Sequence, residues 1–185
     1  MNTFLFLSIY DRRGASSRER LWSLSDYLIK KGYKSKVSFL ISNKSVENYH
    51  LTGKRNVFEY IYSFLKRTFL LLTSFGVSTI VIEKTIYPFI GLVFVPIIQI
   101  HKYVFKTKII YDYDDAVNLI YRIYNPLNKQ FVEVIRKECL LNATNITLGT
   151  PYLKEILNLD SYYLYPTPVR IGINGGSLDE ALLSE

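Results

Sequence analysis

The stretch "KIIYDYDDAV" (108–117) sets four apolar or aromatic residues, Ile109, Ile110, Tyr111 and Tyr113, against Asp112, Asp114 and Asp115, three carboxylates within four residues. Clustered acids repel one another. They tolerate proximity when solvated, when capping a helix, or when facing a cation or a polar ligand. Asp114 and Asp115 are the candidate catalytic pair, and Asp112 is a candidate substrate-binding residue. The plain alternative is that Asp114 or Asp115 caps the segment that follows.

The Asp112-x-Asp114 spacing leaves several chemistries open. It matches the D-x-D that holds a metal and a nucleotide diphosphate in one class of sugar transferases. It also matches the nucleophile and acid of haloacid-dehalogenase-like phosphatases, although that pair is expected after the first strand and this one follows the fourth. A metal site needs more oxygen ligands, and none is evident nearby, so no metal is expected. Acceptance of hydrogen bonds from sugar hydroxyls is the remaining chemistry.

A second candidate segment is "DRRGASSRER" (11–20). Gly14 lets the chain turn tightly and approach a ligand. Ser16 or Ser17 is suited to capping the helix that follows. A helix start after a strand offers N–H groups to a phosphate or a sugar hydroxyl. Arg12, Arg13, Arg18 and Arg20 add positive charge. The loop is not G-x-G-x-x-G, so a standard dinucleotide site is not supported and no cofactor is expected. Gly14, Ser16, Ser17, Arg18 and Arg20 are therefore candidate substrate-binding residues, with an ordinary capped turn as the alternative. Thr150, after "NITLG", and Thr167, between the prolines of "YPTPV" (165–169), complete the set. His50 and His101 stand apart from each other and from Cys139, so zinc is not expected.

The elements that must position these residues follow from apolar runs alternating with helical patterns. "TFLFLSIY" (3–10), "KSKVSFLI" (34–41), "STIVIEK" (78–84), "TKIIYDY" (107–113), "NITLG" and "SYYLYP" read as strands. Between the first two, Leu21, Leu24, Tyr27 and Leu28 share one helical face, and Gly32 closes the helix. Helices are also expected over "VFEYIYSFLKRTFLLLTSFG", over 88–105, over "NPLNKQFVEVIRKECLLNA" and, briefly, over "TPYLKEILN". Strand and helix in alternation predict an α/β domain with a Rossmann-like, doubly wound parallel sheet over residues 1–169. In such a sheet the strands' carboxyl ends carry the ligand. The loops around Arg18, Asp115 and Thr167 would then meet on one rim. The tail 170–185 has three glycines and no strand-helix unit, and reads as a truncated linker.

Composition bounds the functions. With 49% hydrophobic residues and only 21% charged, the chain is not of disordered type. A net charge of +7 suits nucleic acid, anionic lipid or phosphorylated substrates. The basic residues are dispersed, and no nucleic-acid role is expected. The lone Cys139 excludes an internal disulfide. "TIYPFIGLVFVPIIQI" (85–100) is short for a membrane span and reads as a buried helix. "KRNVFEYIYSFLKRTFLLL" (54–72) mixes basic residues with a broad apolar face. Packing of that face on the sheet is the preferred expectation; a peripheral membrane contact is the other. A cytoplasmic location, with room for contact at the inner face of the membrane, is expected.

In order along the chain, four segments resemble the amino-terminal domain of GT-B glycosyltransferases of family 4. These are "GASSRERLWSLSDYLIKKGY", "KIIYDYDDAV", "NATNITLGTPYLKEIL" and "YLYPTPV". The resemblance implies half of a GT-B fold, in which this domain binds a glycan or lipid-linked acceptor and a second domain binds a nucleotide-sugar donor. Transfer would proceed in the cleft between them, with retention and without a metal. Carried over by position, Gly14 and the 16–20 stretch would border the donor phosphates and the acceptor, and Asp114 and Asp115 would lie on the acceptor side. Only sixteen residues follow Val169, too few for a donor domain. The expectation is therefore an incomplete transferase, inactive alone, or a binding subunit that pairs with a separate donor domain. A metal-dependent phosphatase using Asp112 and Asp114 is the alternative.

Overall fold

Among the described residues, six strands form one parallel sheet in the order β2-β1-β3-β4-β5-β6. They are β1 (Thr3–Tyr10), β2 (Lys34–Ile41), β3 (Thr79–Glu83), β4 (Lys108–Tyr113), β5 (Asn145–Leu148) and β6 (Tyr163–Leu164). The protein's computed structural model describes residues 2–14, 17–54, 57–87, 90–113, 127–151, 153 and 163–164. Ser16, Asp114, Asp115, Thr167, most of the short helix expected after Thr150 and the 170–185 tail lie outside them.

The central strands are apolar because both faces are covered. All of β3 is buried. Edge strand β2 instead carries exposed Lys34 and Lys36, which discourage pairing with another sheet edge. On one face, Phe6 and Val81 pack with Leu21, Leu24 and Leu28 of the first helical segment. That segment is a π-helical turn, Arg18–Trp22, running into α1 (Ser23–Lys30). On the other face, Leu5, Leu7, Ile80, Ile82, Ile109 and Tyr111 form the main core with Leu71, Ile98, Ile135 and Cys139. Those last four come from α3 (Val57–Thr73), α4 (Val95–Tyr103) and α5 (Leu127–Asn142). Helices on both faces make the sheet doubly wound and Rossmann-like.

Several element boundaries depart from the sequence expectation. Between β2 and α3 stands α2 (Asn43–Thr52), which buries no residue and so has no apolar period to announce it. Its ends carry local signals instead. Ser42 Oγ accepts from Ser45 N at 3.1 Å, and Gly53 closes it at φ 67°. The helix expected over 88–105 is shorter, a 3₁₀ turn over Gly91–Phe94 followed by α4. Pro96 falls in the first turn of α4, where its missing N–H costs no bond. The buried helix expected there is half right: Phe94 and Ile98 are buried, whereas Val93 and Ile100 are exposed.

The helical stretch 54–72 meets the packing expectation in part. Ser63, Arg67 and Leu71 of α3 are buried, and Tyr60, Phe64 and Leu70 pack against the core. Most of the helix's apolar side chains face outward.

Candidate functional site

The chain leaves β1 toward β2 and returns past it to β3. The carboxyl ends of β1 and β3 therefore mark the switch point at which wound sheets hold ligands. Glu83, the last residue of β3, lies buried at that point. Its Oε2 accepts from Ile9 N at 2.8 Å and Ser8 Oγ at 2.9 Å. Ser17 Oγ lies 2.9 and 2.7 Å from the two carboxylate oxygens. One acid thus ties the end of β1 to the start of the helical segment that follows.

This corrects the expected role of Ser17. It makes no side-chain cap on the helix; its hydroxyl is bonded to Glu83. Gly14 is closely packed against its own strand. A Cβ there would collide with Cβ of Tyr10, so glycine serves a close approach of the loop to its own strand. Gly14 N donates to Asp11 O at 2.9 Å, and Arg18 N donates to Gly14 O at 2.8 Å.

The loop's arginines are matched by acids. Arg12 makes two hydrogen bonds of 2.8 Å to Asp26 and lies 4.6 Å from the centre of the Trp22 ring. Arg13 pairs with Glu47, and Arg18 Nε donates to Glu19 at 2.9 Å. Arg20 is buried and pairs with Asp112 through two contacts, that of Nε to Oδ2 being 2.7 Å. Thr147 Oγ1 donates to the same carboxylate. The positive charge expected of this loop is therefore largely balanced within the protein.

The Arg20–Asp112 pair ties the π-helical turn after β1 to the end of β4 on the α1 side of the sheet. It also fixes what Asp112 is doing: both of its oxygens accept from a guanidinium. Near it, Gly149 N donates to Tyr113 O at 2.7 Å, which places exposed Thr150 beside the end of β4. Of the expected site residues, Gly14, Asp112 and Thr150 are at carboxyl ends of strands or in the loops that leave them, and Ser17, Arg18 and Arg20 are at the start of the helical segment that follows β1. Asp114, Asp115, Ser16 and Thr167 are not among the described residues.

Two more buried charges lie across the sheet, and sequence reasoning did not single them out. Arg67 of α3 donates to the carbonyls of Ile86 at 2.7 Å, and of Ser8 and Ser38 at 2.6 Å. Burial lowers its pKa to about 9, opposed by Glu83 and Glu138. Glu138 of α5 accepts from Thr85 Oγ1 at 2.6 Å, Ile86 N at 2.8 Å and Tyr111 OH at 2.9 Å. Burial pushes Glu138 up to about 7 against the pull of these donors and of Arg67. Together they clamp the loop after β3. Their available signal was a charge within an apolar run: Arg67 in "FLKRTFLLL" and Glu138 in "VIRKECLL".

Lys84 begins that loop at φ 62°, a left-handed conformation uncommon for a lysine, and its N–H donates to Asp112 O at 3.0 Å. The strain sits at the switch point, where functional sites often hold it. Elsewhere, His101 is buried with Nε2 2.8 Å from Leu71 O. Burial pushes the Cys139 thiol up to about 12, which makes it an inert core group. Among the described residues, no group of three or more His, Cys, Asp or Glu side chains is placed to hold a metal.

A comparison with protein-family models found no match, and neither did a search of curated proteins.

Proposed function

We propose that this domain is the acceptor-side half of a GT-B glycosyltransferase. The rim over the carboxyl ends of β1, β3 and β4 would take a glycan or lipid-linked acceptor. The nucleotide-sugar donor would be held by a second Rossmann-like domain facing it, in the same protein or as a separate subunit. The reaction class is sugar transfer at the cytoplasmic side, in polysaccharide assembly. The observation that carries the reading is the Arg20–Asp112 pair, which joins two of the four resembling segments at one rim. The parallel, doubly wound sheet is the architecture the reading requires.

Within this reading the rim's buried charges are positioning groups. Glu83 holds the first loop, and Arg67 and Glu138 hold the loop after β3. Preorganised backbone and side-chain donors of this kind favour a charge that develops during transfer, because they do not reorganise when it forms. Asp114 and Asp115 remain the proposed acceptor-side acids.

The phosphatase alternative asks Asp112 to present a carboxylate to a divalent ion. In this geometry a guanidinium occupies both of its oxygens, which disfavours that role. The test is to co-express the chain with a candidate donor domain and measure transfer from nucleotide sugars to lipid-linked glycans, beside phosphatase turnover in magnesium. Sugar transfer abolished by D115N supports the reading. Phosphate release abolished by D112N, with no sugar transfer, replaces it.

A further inference from the structure

Helix α3 is apolar on both its faces. Its inner face buries Ser63, Arg67 and Leu71 and packs Tyr60, Phe64 and Leu70 against the core, while Phe58, Ile61, Tyr62, Leu65, Phe69 and Leu72 are exposed. At about 100° per residue these six fall in one stripe opposite Arg67, running roughly 21 Å along the helix. Phe58 is 83% exposed and Phe69 69%, far more than the edge of a core would leave. The stripe continues beyond the helix. Phe75 stacks on His101 of α4 and lies 5.0 Å from Phe105, and both phenylalanines are exposed.

We propose that this outer face docks on an anionic lipid surface. Charge is the first reason. Segments 57–76 and 90–108 contain one acid, Glu59, and its carboxylate is turned away to accept from Ser42 N at 3.0 Å. Lys66 and Lys106 are exposed on the same segments, and the whole chain carries +7. A patch of this kind is repelled by no part of an acidic membrane and attracted by its surface potential.

The second reason is the engagement of the threonine hydroxyls beside the stripe. A protein partner needs hydrogen-bonding groups around an apolar centre. Here the hydroxyls of Thr68 and Thr73 are spent on their own helix. Thr68 Oγ1 donates to Phe64 O and Thr73 Oγ1 to Phe69 O, both at 2.8 Å. Lipid asks for no such directional bonds: aliphatic and aromatic side chains enter the interface, and tyrosines such as Tyr62 sit at its polar boundary. No helix of the described residues is long and apolar enough to cross a membrane. The inference is independent of the sugar-transfer reading, since docking needs only this face.

Flotation of the full chain with vesicles tests it. Vesicles of phosphatidylcholine with about a third phosphatidylglycerol should carry the chain at low salt, with at least tenfold weaker binding to phosphatidylcholine alone. The triple variant F58S/L65S/F69S should lose binding tenfold or more, with an unchanged circular dichroism spectrum. I29S, on the opposite side of the sheet, should bind as the parent does. Should the triple variant misfold, K66E decides: it should weaken binding several-fold at low salt and leave no difference at high salt. Binding indifferent to both sets of changes overturns the proposal. So does a chain that ignores vesicles and forms a dimer that the same substitutions dissolve.

Discussion

Arg20 and Asp112, 92 residues apart in the chain, form a buried ion pair in which Arg20 Nε lies 2.7 Å from Asp112 Oδ2. Removing one partner leaves the other charged and desolvated, so either R20A or D112N should cost about 3–5 kcal/mol in denaturant unfolding. Replacing both with apolar residues of similar volume should restore much of that loss. A double variant no better than its parents would mean that the remaining bonds around the pair, such as that from Thr147, carry the stability.

Glu138 gives the protein a pH dependence of definite sign. Its proton is held to about pH 7 in the fold, against an ordinary value of 4.5. The native state therefore binds more protons in that window than the unfolded chain, and stability falls as pH climbs through it. The loss from this one group is about 3 kcal/mol. E138Q should be less stable at acidic pH, because its amide meets donors where the parent had an acceptor. It should also lack this downward slope. Unfolding curves of both proteins from pH 4 to 8 measure the difference.

Arg67 holds three backbone carbonyls from three segments. A lysine brings one nitrogen to a place shaped for a planar fork. R67K should therefore lower stability by about 2–4 kcal/mol, nearly as much as R67M, because each leaves carbonyls unsatisfied. Thermal unfolding compares the three proteins.

Two glycines should respond oppositely to their surroundings. A Cβ on Gly91 would run into the Glu138 carboxylate and lie near Thr85, so G91A should cost about 1–3 kcal/mol and disturb the Glu138 clamp. Gly76 has open space around it but φ 81°. G76A should cost only the backbone strain of a left-handed alanine, about 1 kcal/mol.

Much of this architecture was legible because burial on two faces writes itself as continuous apolar runs. β1 and β2 span the residues expected, and β3 to β5 fall within a residue or two. What was hidden were structures made by polar residues. Helix α2 rests on a serine cap and a closing glycine. The loop of arginines read as a positive site because its acids, Asp26, Glu47 and Asp112, are distant or unremarkable in sequence. Glu83 read as the end of a strand, although it organises the first loop. Pattern reveals which face is covered; it does not reveal which buried charge has found a partner.

The rim is best tested by titrating the ¹⁵N-labelled chain, without magnesium, with a short-chain lipid-linked glycan while amide resonances are followed. Sugar transfer at this rim predicts saturable shifts at Gly14, Arg18 and Thr150 and none at Ser78 or Lys108, at the opposite edge of the sheet. Shifts confined to that opposite edge, or no saturable shift at millimolar ligand, would contradict it.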